Sequence, residues 1–358
     1  MNIFLCSTVR HLLFALLKGL SKPEKISYIL MITDQQNIDI DSYDLLTLPE
    51  HIQVIFIKRS DINKSLLKYK RGRGIKFLSN FNVHTSSTLQ NYFKKLLFTK
   101  LIPIVNDVTQ LDNTNLYLFN DRNKLSRLLR LAFDKYSIIE DGTGNYKGIK
   151  FKLLERAINI LKGNKQKKRY FGDDCRCECI YLLNPLGGPE YLKDKVTSID
   201  FIQADNVHKY CMPFFKAEGI GCNINYILAT QPIGVFADLK LDFKVYNKII
   251  KIFRDNGLKL FIKTHPRESI QEFKNKYIGV DFIESKVPLE LVIFSNQTKC
   301  HIISLCSSAG LGFENYCERV TLISDDEHEN LKKILDTWKN DEAILDKVLN
   351  KSFLRLLS

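Results

Sequence analysis

The sequence lacks any long uninterrupted apolar segment. None of its apolar runs reaches the roughly 18 residues that a membrane-spanning helix needs. The best candidate, residues 3–17, is interrupted by Arg10 and His11. It also lacks a basic leader and a small-residue cleavage site, so it does not have the pattern of a secretory signal peptide. We therefore expect a cytoplasmic protein, with or without peripheral contact with the inner membrane.

Cysteines are too few and too scattered for a disulfide framework. The chain of 358 residues contains nine of them, an odd number, and is large enough to fold without disulfides. Cys175, Cys177 and Cys179 would share one face of an extended strand and could bind a soft metal. Zinc sites usually have wider spacers and a second ligand pair, however, and the sequence has no such pair. We expect reduced thiols here and no metal site.

Acidic residues are outnumbered, with 40 Asp and Glu against 53 Lys and Arg and a net charge of +13. Residues 58–76 carry eight basic side chains and one acid, Asp61, and residues 162–169 carry five basic side chains and no acid. Neither run has the aromatic spacing of an RNA-binding motif, so we expect no nucleic acid partner. A solvated face and an anionic lipid surface, worth about 1 kcal/mol per basic residue, both remain open.

Short apolar strands alternate with helical segments, a pattern typical of parallel βαβ units. The pattern predicts strands at residues 2–6, 26–33, 52–57, 115–120, 137–140, 225–230, 259–263, 280–283, 301–305 and 320–323. It predicts helices at residues 11–20, 86–97, 124–133, 151–161, 245–256, 270–276, 331–338 and 342–357. We predict two α/β domains with a cleft between them: residues 1–215, with a connecting segment at about 162–221, then residues 222–340, followed by a terminal helix at 341–358.

The first candidate site follows a predicted strand. Glu140 and Asp141 stand there, before Gly142, Gly144 and Asn145. Ligands bind at the carboxyl edge of open α/β sheets, and a partly desolvated carboxylate at that edge can act as a general base. The alternative is an acidic turn in which Asp141 caps a helix. A dinucleotide fingerprint is disfavoured because the glycine spacing is one residue too long.

The second candidate site is Lys263, His265, Pro266 and Arg267, at the end of another predicted strand. Pro266 disfavours helical backbone at His265, so the chain stays extended there. Flanked by two cations, the His265 imidazole would meet an anion, and it could protonate a phosphate leaving group. A purely structural histidine is the alternative.

The third candidate site is Ser307 and Ser308, which precede Ala309 and Gly310 at a strand end. Hydroxyl and backbone N–H groups in such a loop can bind phosphate, although paired serines are also common in turns and caps. Together the three sites would supply a base, an acid and a phosphate cradle. That combination indicates group transfer from a nucleotide donor.

Three motifs carry a family resemblance: E-D-G-T-G-N at 140–145, H-P-R at 265–267 and S-S at 307–308. In this order they resemble the motifs of bacterial sialyltransferases, most closely the lipooligosaccharide sialyltransferase family (glycosyltransferase family 52). The resemblance implies a GT-B fold, in which two Rossmann-like doubly wound domains face each other across a cleft. The first domain would be on the acceptor side and the second would hold the nucleotide.

The resemblance also implies a reaction. CMP-sialic acid would be the donor, and a hydroxyl of a surface glycan or glycolipid would be the acceptor, in lipopolysaccharide, lipooligosaccharide, O-antigen or capsule. His265 would be the acid facing the CMP phosphate, with Lys263, Pro266 and Arg267 beside it. Ser307 and Ser308 would hold that phosphate, and Glu290 would bind the ribose hydroxyls. Inversion with a single-phosphate donor would need no divalent metal, although Asp39 and Asp41 form a D-x-D motif.

One position departs from the family pattern. Some members carry an aspartate base after the first strand of the second domain, whereas this chain has Gln231 there and no carboxylate before Asp238. The base role therefore moves to Asp141 or Glu140. These neighbours point in opposite directions in an extended chain, and we favour Asp141 because it borders the glycine. A family member that transfers a hexose and a basic nucleic-acid-binding protein remain as alternatives, and the oligomeric state, a homodimer included, is left open.

Overall fold

The computed structural model describes the chain except residues 37, 81–84, 143, 152–167, 221–222, 232–238, 266–267, 308, 325–326, 328–329 and 358. The chain divides into two compact units, Met1–Phe215 and Lys216–Ser358. Among the described residues, no helix combines the length and the apolar character that crossing a membrane requires.

The first unit is built on a seven-stranded sheet in the order β3-β2-β1-β4-β5-β8-β9, in which every neighbouring pair is parallel. β6 and β7 form a separate two-stranded antiparallel sheet, and in the sequence they lie between β5 and β8. The strands are β1 Asn2–Cys6, β2 Ser27–Ile32, β3 Ile52–Ile57, β4 Asn115–Leu118, β5 Tyr136–Ile139, β6 Ile149–Lys150, β7 Lys168–Arg169, β8 Cys177–Leu182 and β9 Val196–Ser198.

Helices connect these parallel strands. They span Val9–Leu20, Arg59–Lys68, Gly72–Leu78, Ser87–Lys95, Lys124–Leu129, Gly144–Lys147, Ala204–Asn206 and Met212–Phe214, with wider π-helical turns at Leu96–Leu101 and Val207–Cys211. Val9–Leu20 begins at Thr8, whose hydroxyl accepts from the His11 N–H at 3.2 Å. It lies close to the sheet at Gly19, where a Cβ atom would come within 2.7 Å of Ile52.

The second unit contains a five-stranded parallel sheet in the order β12-β11-β10-β13-β14. Its strands are β10 Tyr226–Ala229, β11 Leu260–Lys263, β12 Asp281–Ile283, β13 Cys300–Ser304 and β14 Cys317–Thr321. Its helices are Leu239–Asp255, Ile270–Lys276, Leu289–Ser295, Leu331–Asn340 and Glu342–Leu357. Both sheets have the Rossmann strand order, which confirms the predicted α/β fold with two Rossmann-like sheets.

Most predicted elements occur within a few residues of their expected positions. β3 and the helix Ile270–Lys276 have the predicted bounds, whereas the helix predicted at 245–256 begins at Leu239. Residues 177–182 and 196–198 were assigned to connecting structure but form β8 and β9. Their short, partly polar sequences hide the pattern. β8 is recognised by its pairing with β5, where Ile180 lies opposite Ile138, and β9 by its pairing with β8. The helix predicted at 151–161 falls almost wholly outside the described residues.

Each sheet reverses its strand order at one point, between β1 and β4 in the first unit and between β10 and β13 in the second. Ligands of open α/β sheets bind outside the carboxyl ends of the strands at such switch points. Loops that follow these strands and their neighbours therefore define two edges. We call them the first edge, after β1, β4 and β5, and the second edge, after β10, β11 and β13.

Candidate functional site

Glu140 follows β5 at the first edge and is completely enclosed. Its side chain is 1% exposed, and Arg10 Nη2 donates to its Oε1 at 2.9 Å. The Tyr146 hydroxyl and the Leu183 N–H, the latter at 2.9 Å, both donate to Oε2. Burial raises the pKa of Glu140 above its ordinary value although Arg10 opposes the shift. These contacts join β5, the first helix and the end of β8, so Glu140 holds the first edge together.

Asp141, the next residue, has a different environment. Its side chain is 26% exposed, and its Oδ1 lies 2.5 Å from Nε2 of His11. Burial alone would raise its pKa, but His11, which is hydrogen-bonded to this carboxylate, together with Arg10 and Asn120 lowers the pKa of Asp141 below its ordinary value. The structure therefore presents an ionised and partly accessible carboxylate at the first edge.

His11 was not predicted as a site residue. It is 2% exposed, and its ring stacks on Phe119 at a centroid distance of 4.1 Å and an angle of 5°. The other ring nitrogen, Nδ1, lies 3.2 Å from both the backbone nitrogen and the hydroxyl oxygen of Ser7. No sequence motif pointed to His11, because its partner Asp141 is 130 residues away.

The predicted loop residues shape the turn after Asp141. Gly142 has a φ of 137°, a region that favours glycine. A Cβ atom on Gly144 would lie 2.8 Å from the Phe171 ring. The Asn145 side chain accepts from the Asp141 N–H at 2.9 Å and so closes the turn. These residues set the backbone around the carboxylate, a structural role that the sequence did not separate from ligand binding.

His265 lies at the second edge, two residues after β11, and is half-buried. Its backbone N–H donates to the Thr230 hydroxyl at 3.1 Å and to Glu268 Oε2 at 3.0 Å. Thr230 also donates to Glu268, so one carboxylate joins the ends of β10 and β11. Burial raises the pKa of Glu268, although these hydrogen bonds oppose the shift. Its predicted neighbours Pro266 and Arg267 lie outside the described residues.

Lys263, the last residue of β11, is buried. Its ammonium group donates to the carbonyls of Glu284 at 2.8 Å and Ser285 at 3.1 Å. Burial lowers the pKa of Lys263 to about 8, although Glu290 and Glu284 oppose the shift. Glu290 itself lies in the first turn of the helix Leu289–Ser295 and is partly exposed. Lys263 thus fastens the chain after β12 to the second edge.

Ser307 stands in the loop after β13. Its hydroxyl oxygen accepts from the Ala309 N–H at 3.0 Å. Arg319, which the sequence did not single out, donates to the carbonyls of Ser307 at 2.9 Å and Ala309 at 3.1 Å. Gly310 follows with a φ of 76°. Arg319 on β14 therefore fixes this loop, while Ser308 lies outside the described residues.

Gln231 lies at the second edge, two residues after the end of β10. Its Oε1 accepts from the Cys306 N–H at 2.7 Å, and its Nε2 lies 3.4 Å from Cys306 Sγ. This amide joins the loops after β10 and β13, the two strands at the switch point of the second sheet. Asp238, the next carboxylate considered, lies outside the described residues.

Within the described part of the chain, no group of three or more His, Cys, Asp and Glu side chains is arranged to hold a metal ion. Within the cysteine run, Cys175 is exposed, Cys177 is buried and Cys179 is intermediate.

Comparisons with known proteins give one family match. The model of glycosyltransferase family 52 matches residues 51–324, and no curated protein matches the chain. Solved structures with a similar fold include an α/β-galactoside α-2,3-sialyltransferase from Photobacterium phosphoreum, at 13% identity with a TM-score of 0.49, covering 98% of this chain and 96% of that one. A UDP-GlcNAc 2-epimerase from Neisseria meningitidis, at 12% identity and TM-score 0.42, covers 99% and 98%. These likenesses are too distant to indicate a function.

Proposed function

Because this chain belongs to glycosyltransferase family 52, we propose that it transfers sialic acid from CMP-sialic acid to a hydroxyl of a surface glycan, with inversion at the anomeric carbon. The acceptor would belong to lipopolysaccharide, lipooligosaccharide or capsule. The observation that carries the proposal is the ionised, partly exposed carboxylate of Asp141 at the carboxyl edge of a parallel sheet, in the acidic motif that resembles those of sialyltransferases.

Asp141 is the proposed base, and Glu140 is the structural neighbour. A base must reach the acceptor hydroxyl, and the Asp141 side chain is 26% exposed against 1% for Glu140. Both oxygens of Glu140 already accept hydrogen bonds from Arg10, Tyr146 and Leu183. Asp141 also stays ionised at neutral pH, because its pKa is lowered.

The second unit would bind the donor. The Ser307 oxygen accepts from Ala309, so the hydroxyl can give its own proton to a phosphate oxygen, and Ser308 would add a second contact. The His265 imidazole would face the same phosphate from a backbone held by Thr230 and Glu268. Glu290 would bind the ribose hydroxyls.

These groups are sufficient for every bond change and proton transfer of the proposed reaction. The acceptor oxygen forms a bond to the anomeric carbon as its proton passes to Asp141. The bond from that carbon to the CMP phosphate breaks, and His265 donates a proton to the leaving phosphate. Attack from the side opposite to the leaving group inverts the configuration. With one phosphate and a histidine acid, the proposed reaction requires no divalent metal.

Peripheral contact with the anionic inner membrane is part of the same proposal. The eight Lys and Arg side chains of residues 58–76 are all exposed, on and between the helices Arg59–Lys68 and Gly72–Leu78. Among them Leu67, Tyr69, Phe77 and Leu78 are 44%, 38%, 63% and 40% exposed. Exposed apolar side chains among basic ones favour an anionic lipid surface, because such a surface can bury the apolar groups and attract the basic ones.

The membrane proposal is tested by sedimentation with vesicles. We expect the protein to bind vesicles that contain phosphatidylglycerol and not vesicles of phosphatidylcholine alone. Phe77→Glu should weaken this binding, whereas Ile278→Glu, a control at a 90% exposed site in the second unit, should not. Equal binding by both variants and the unaltered protein would contradict the proposed surface.

A donor assay tests the reaction itself. The purified protein should release CMP from CMP-sialic acid in the presence of a galactose-terminated acceptor, and CMP should raise its melting temperature by preferential binding to the folded state. UDP-hexoses should do neither. Stabilisation and turnover with a UDP-hexose, without any effect of CMP-sialic acid, would assign the chain to hexose transfer within the family.

A further inference from the structure

The protonation state of His11 can be read from its surroundings. The backbone N–H of Ser7 can only donate, and it is directed at Nδ1 at 3.2 Å. Nδ1 must therefore be the unprotonated acceptor, because two donors would otherwise face each other. A neutral imidazole with an unprotonated Nδ1 carries its proton on Nε2, and Nε2 is the atom 2.5 Å from Asp141 Oδ1. His11 thus donates a hydrogen bond to the carboxylate.

The surroundings of the His11 ring hold it in one orientation. His11 is 2% exposed, Phe119 at the end of β4 covers its face at 4.1 Å, and Ser7 after β1 holds Nδ1. The backbone of His11 is itself fixed, because its N–H donates to the Thr8 hydroxyl in the first turn of the helix. Elements on both sides of the first switch point therefore aim one N–H group at Asp141.

From this geometry we infer that His11 is a positioning residue, which holds the Asp141 carboxylate in the orientation and charge state that proton abstraction requires. The inference rests on the proposed function, in which Asp141 is the base. It also goes beyond the family match, which begins at residue 51 and does not include His11.

Other groups near Asp141 do not replace this contact. Arg10 is paired with Glu140 at 2.9 Å and adds its charge from the same helix. Asn120, after β4, contributes a hydrogen bond to Asp141, and Asn145 accepts from its backbone N–H. Glu140, the residue that precedes Asp141 in the sequence, is acidic, and its pairing with Arg10 offsets its charge. Among these groups, His11 combines full burial with a direct contact to Oδ1.

Two amide variants separate positioning from packing. In His11→Gln the side-chain NH₂ can occupy the place of Nε2 and donate to Asp141. In His11→Asn the side chain is one carbon shorter, so its amide reaches only the place of Nδ1, beside Ser7. Both variants lose the aromatic ring and its stacking on Phe119, and the hydrogen bond to Asp141 is the main remaining difference.

We expect His11→Asn to lower kcat by about 10–100-fold, as misplaced reacting groups do, with the KM for CMP-sialic acid changed by no more than a few-fold. His11→Gln should keep kcat within a few-fold of the unaltered enzyme. The acid limb of the pH profile of kcat/KM should move upward in His11→Asn and not in His11→Gln, because the hydrogen bond that lowers the pKa of Asp141 is lost only in the former.

A second measurement does not depend on activity. The ¹³C carboxyl resonance of Asp141, assigned by its absence in Asp141→Asn, should titrate at a higher pH in His11→Asn than in the unaltered protein or in His11→Gln. Identical titrations in the two amide variants would overturn the inference even if transfer were observed. Failure of the unaltered protein to use CMP-sialic acid, with the titration shifted as expected, would instead overturn the proposed function and leave the hydrogen bond established.

Discussion

The two sheets carry different chemistry at equivalent edges. At the first edge, two carboxylates meet partners from a distant part of the chain, with Arg10 paired to Glu140 and His11 to Asp141, each 130 residues apart. At the second edge, the charged side chains of Glu268, Lys263 and Arg319 contact hydroxyl and backbone groups, and an amide adds a further contact. Thr230 and Gln231 there join neighbouring loops.

This difference corresponds to two tasks. An edge with fixed positive and hydrogen-bonding groups keeps a carboxylate ionised, which suits a base. An edge with hydroxyl and backbone N–H donors can bind an anion. The same topology thus serves both tasks, and the side chains at the strand ends decide which. Four changes would break or sharpen this comparison.

The largest effect should come from Asp141→Asn. Asparagine has nearly the same shape but cannot take the acceptor proton, so we expect turnover to fall by about 10⁴. CMP affinity, measured by calorimetry, should stay within a few-fold because the second unit would bind CMP. Asp112→Asn, at a 66% exposed site, is the control. Appreciable turnover in Asp141→Asn would exclude Asp141 as the base.

The second-largest effect is expected from His265→Ala, which should lower turnover by a factor of about 10³. The loss would come from the proton donated to the leaving phosphate, and not from the backbone contacts with Thr230 and Glu268, which alanine retains. Steady-state kinetics with saturating CMP-sialic acid measure the change, and His208→Ala, at an exposed histidine, is the control. Near-normal turnover would exclude His265 as the acid.

Glu140→Gln should chiefly reduce stability. The change removes the charge that Arg10 faces, and breaking a buried ion pair in this way costs about 3 kcal/mol. Urea unfolding measures this loss of stability. Asp141→Asn should reduce the free energy of unfolding by less, because the Asp141 side chain is more exposed. Glu178→Gln, in an exposed pair with Lys135, should change stability by less than about 1 kcal/mol. A folded, stable Glu140→Gln enzyme without activity would move the base to Glu140.

The smallest effect should come from the serines. Each hydroxyl to a phosphate is worth roughly 1.5–3 kcal/mol, so Ser307→Ala should weaken CMP binding at least about tenfold, and Ser308→Ala should weaken it further. Ser285→Ala, at an exposed serine of the same unit, is the matched control in the calorimetric titration. Unchanged CMP affinity in the double variant would place the phosphate cradle elsewhere.

Local patterns predicted much of this molecule. β3 and the helix Ile270–Lys276 have the predicted bounds, because apolar periodicity is a property of neighbouring residues. The positions of Asp141, His265 and Ser307 after strands were also predictable, since each follows a short apolar run. β8 was missed because its sequence CECIYL has no clear alternation, and its place depends on pairing with β5.

The sequence by itself determined two parallel α/β units with polar clusters at their strand ends, because strand and helix periodicity and backbone restrictions act over a few residues. Only the tertiary structure decided what each cluster does. It enclosed Glu140 with Arg10, left Asp141 partly exposed against His11, and turned Lys263 onto backbone carbonyls. Burial and pairing set the charge state of a side chain, and both depend on residues that meet only when the sheet brings distant loops to one edge.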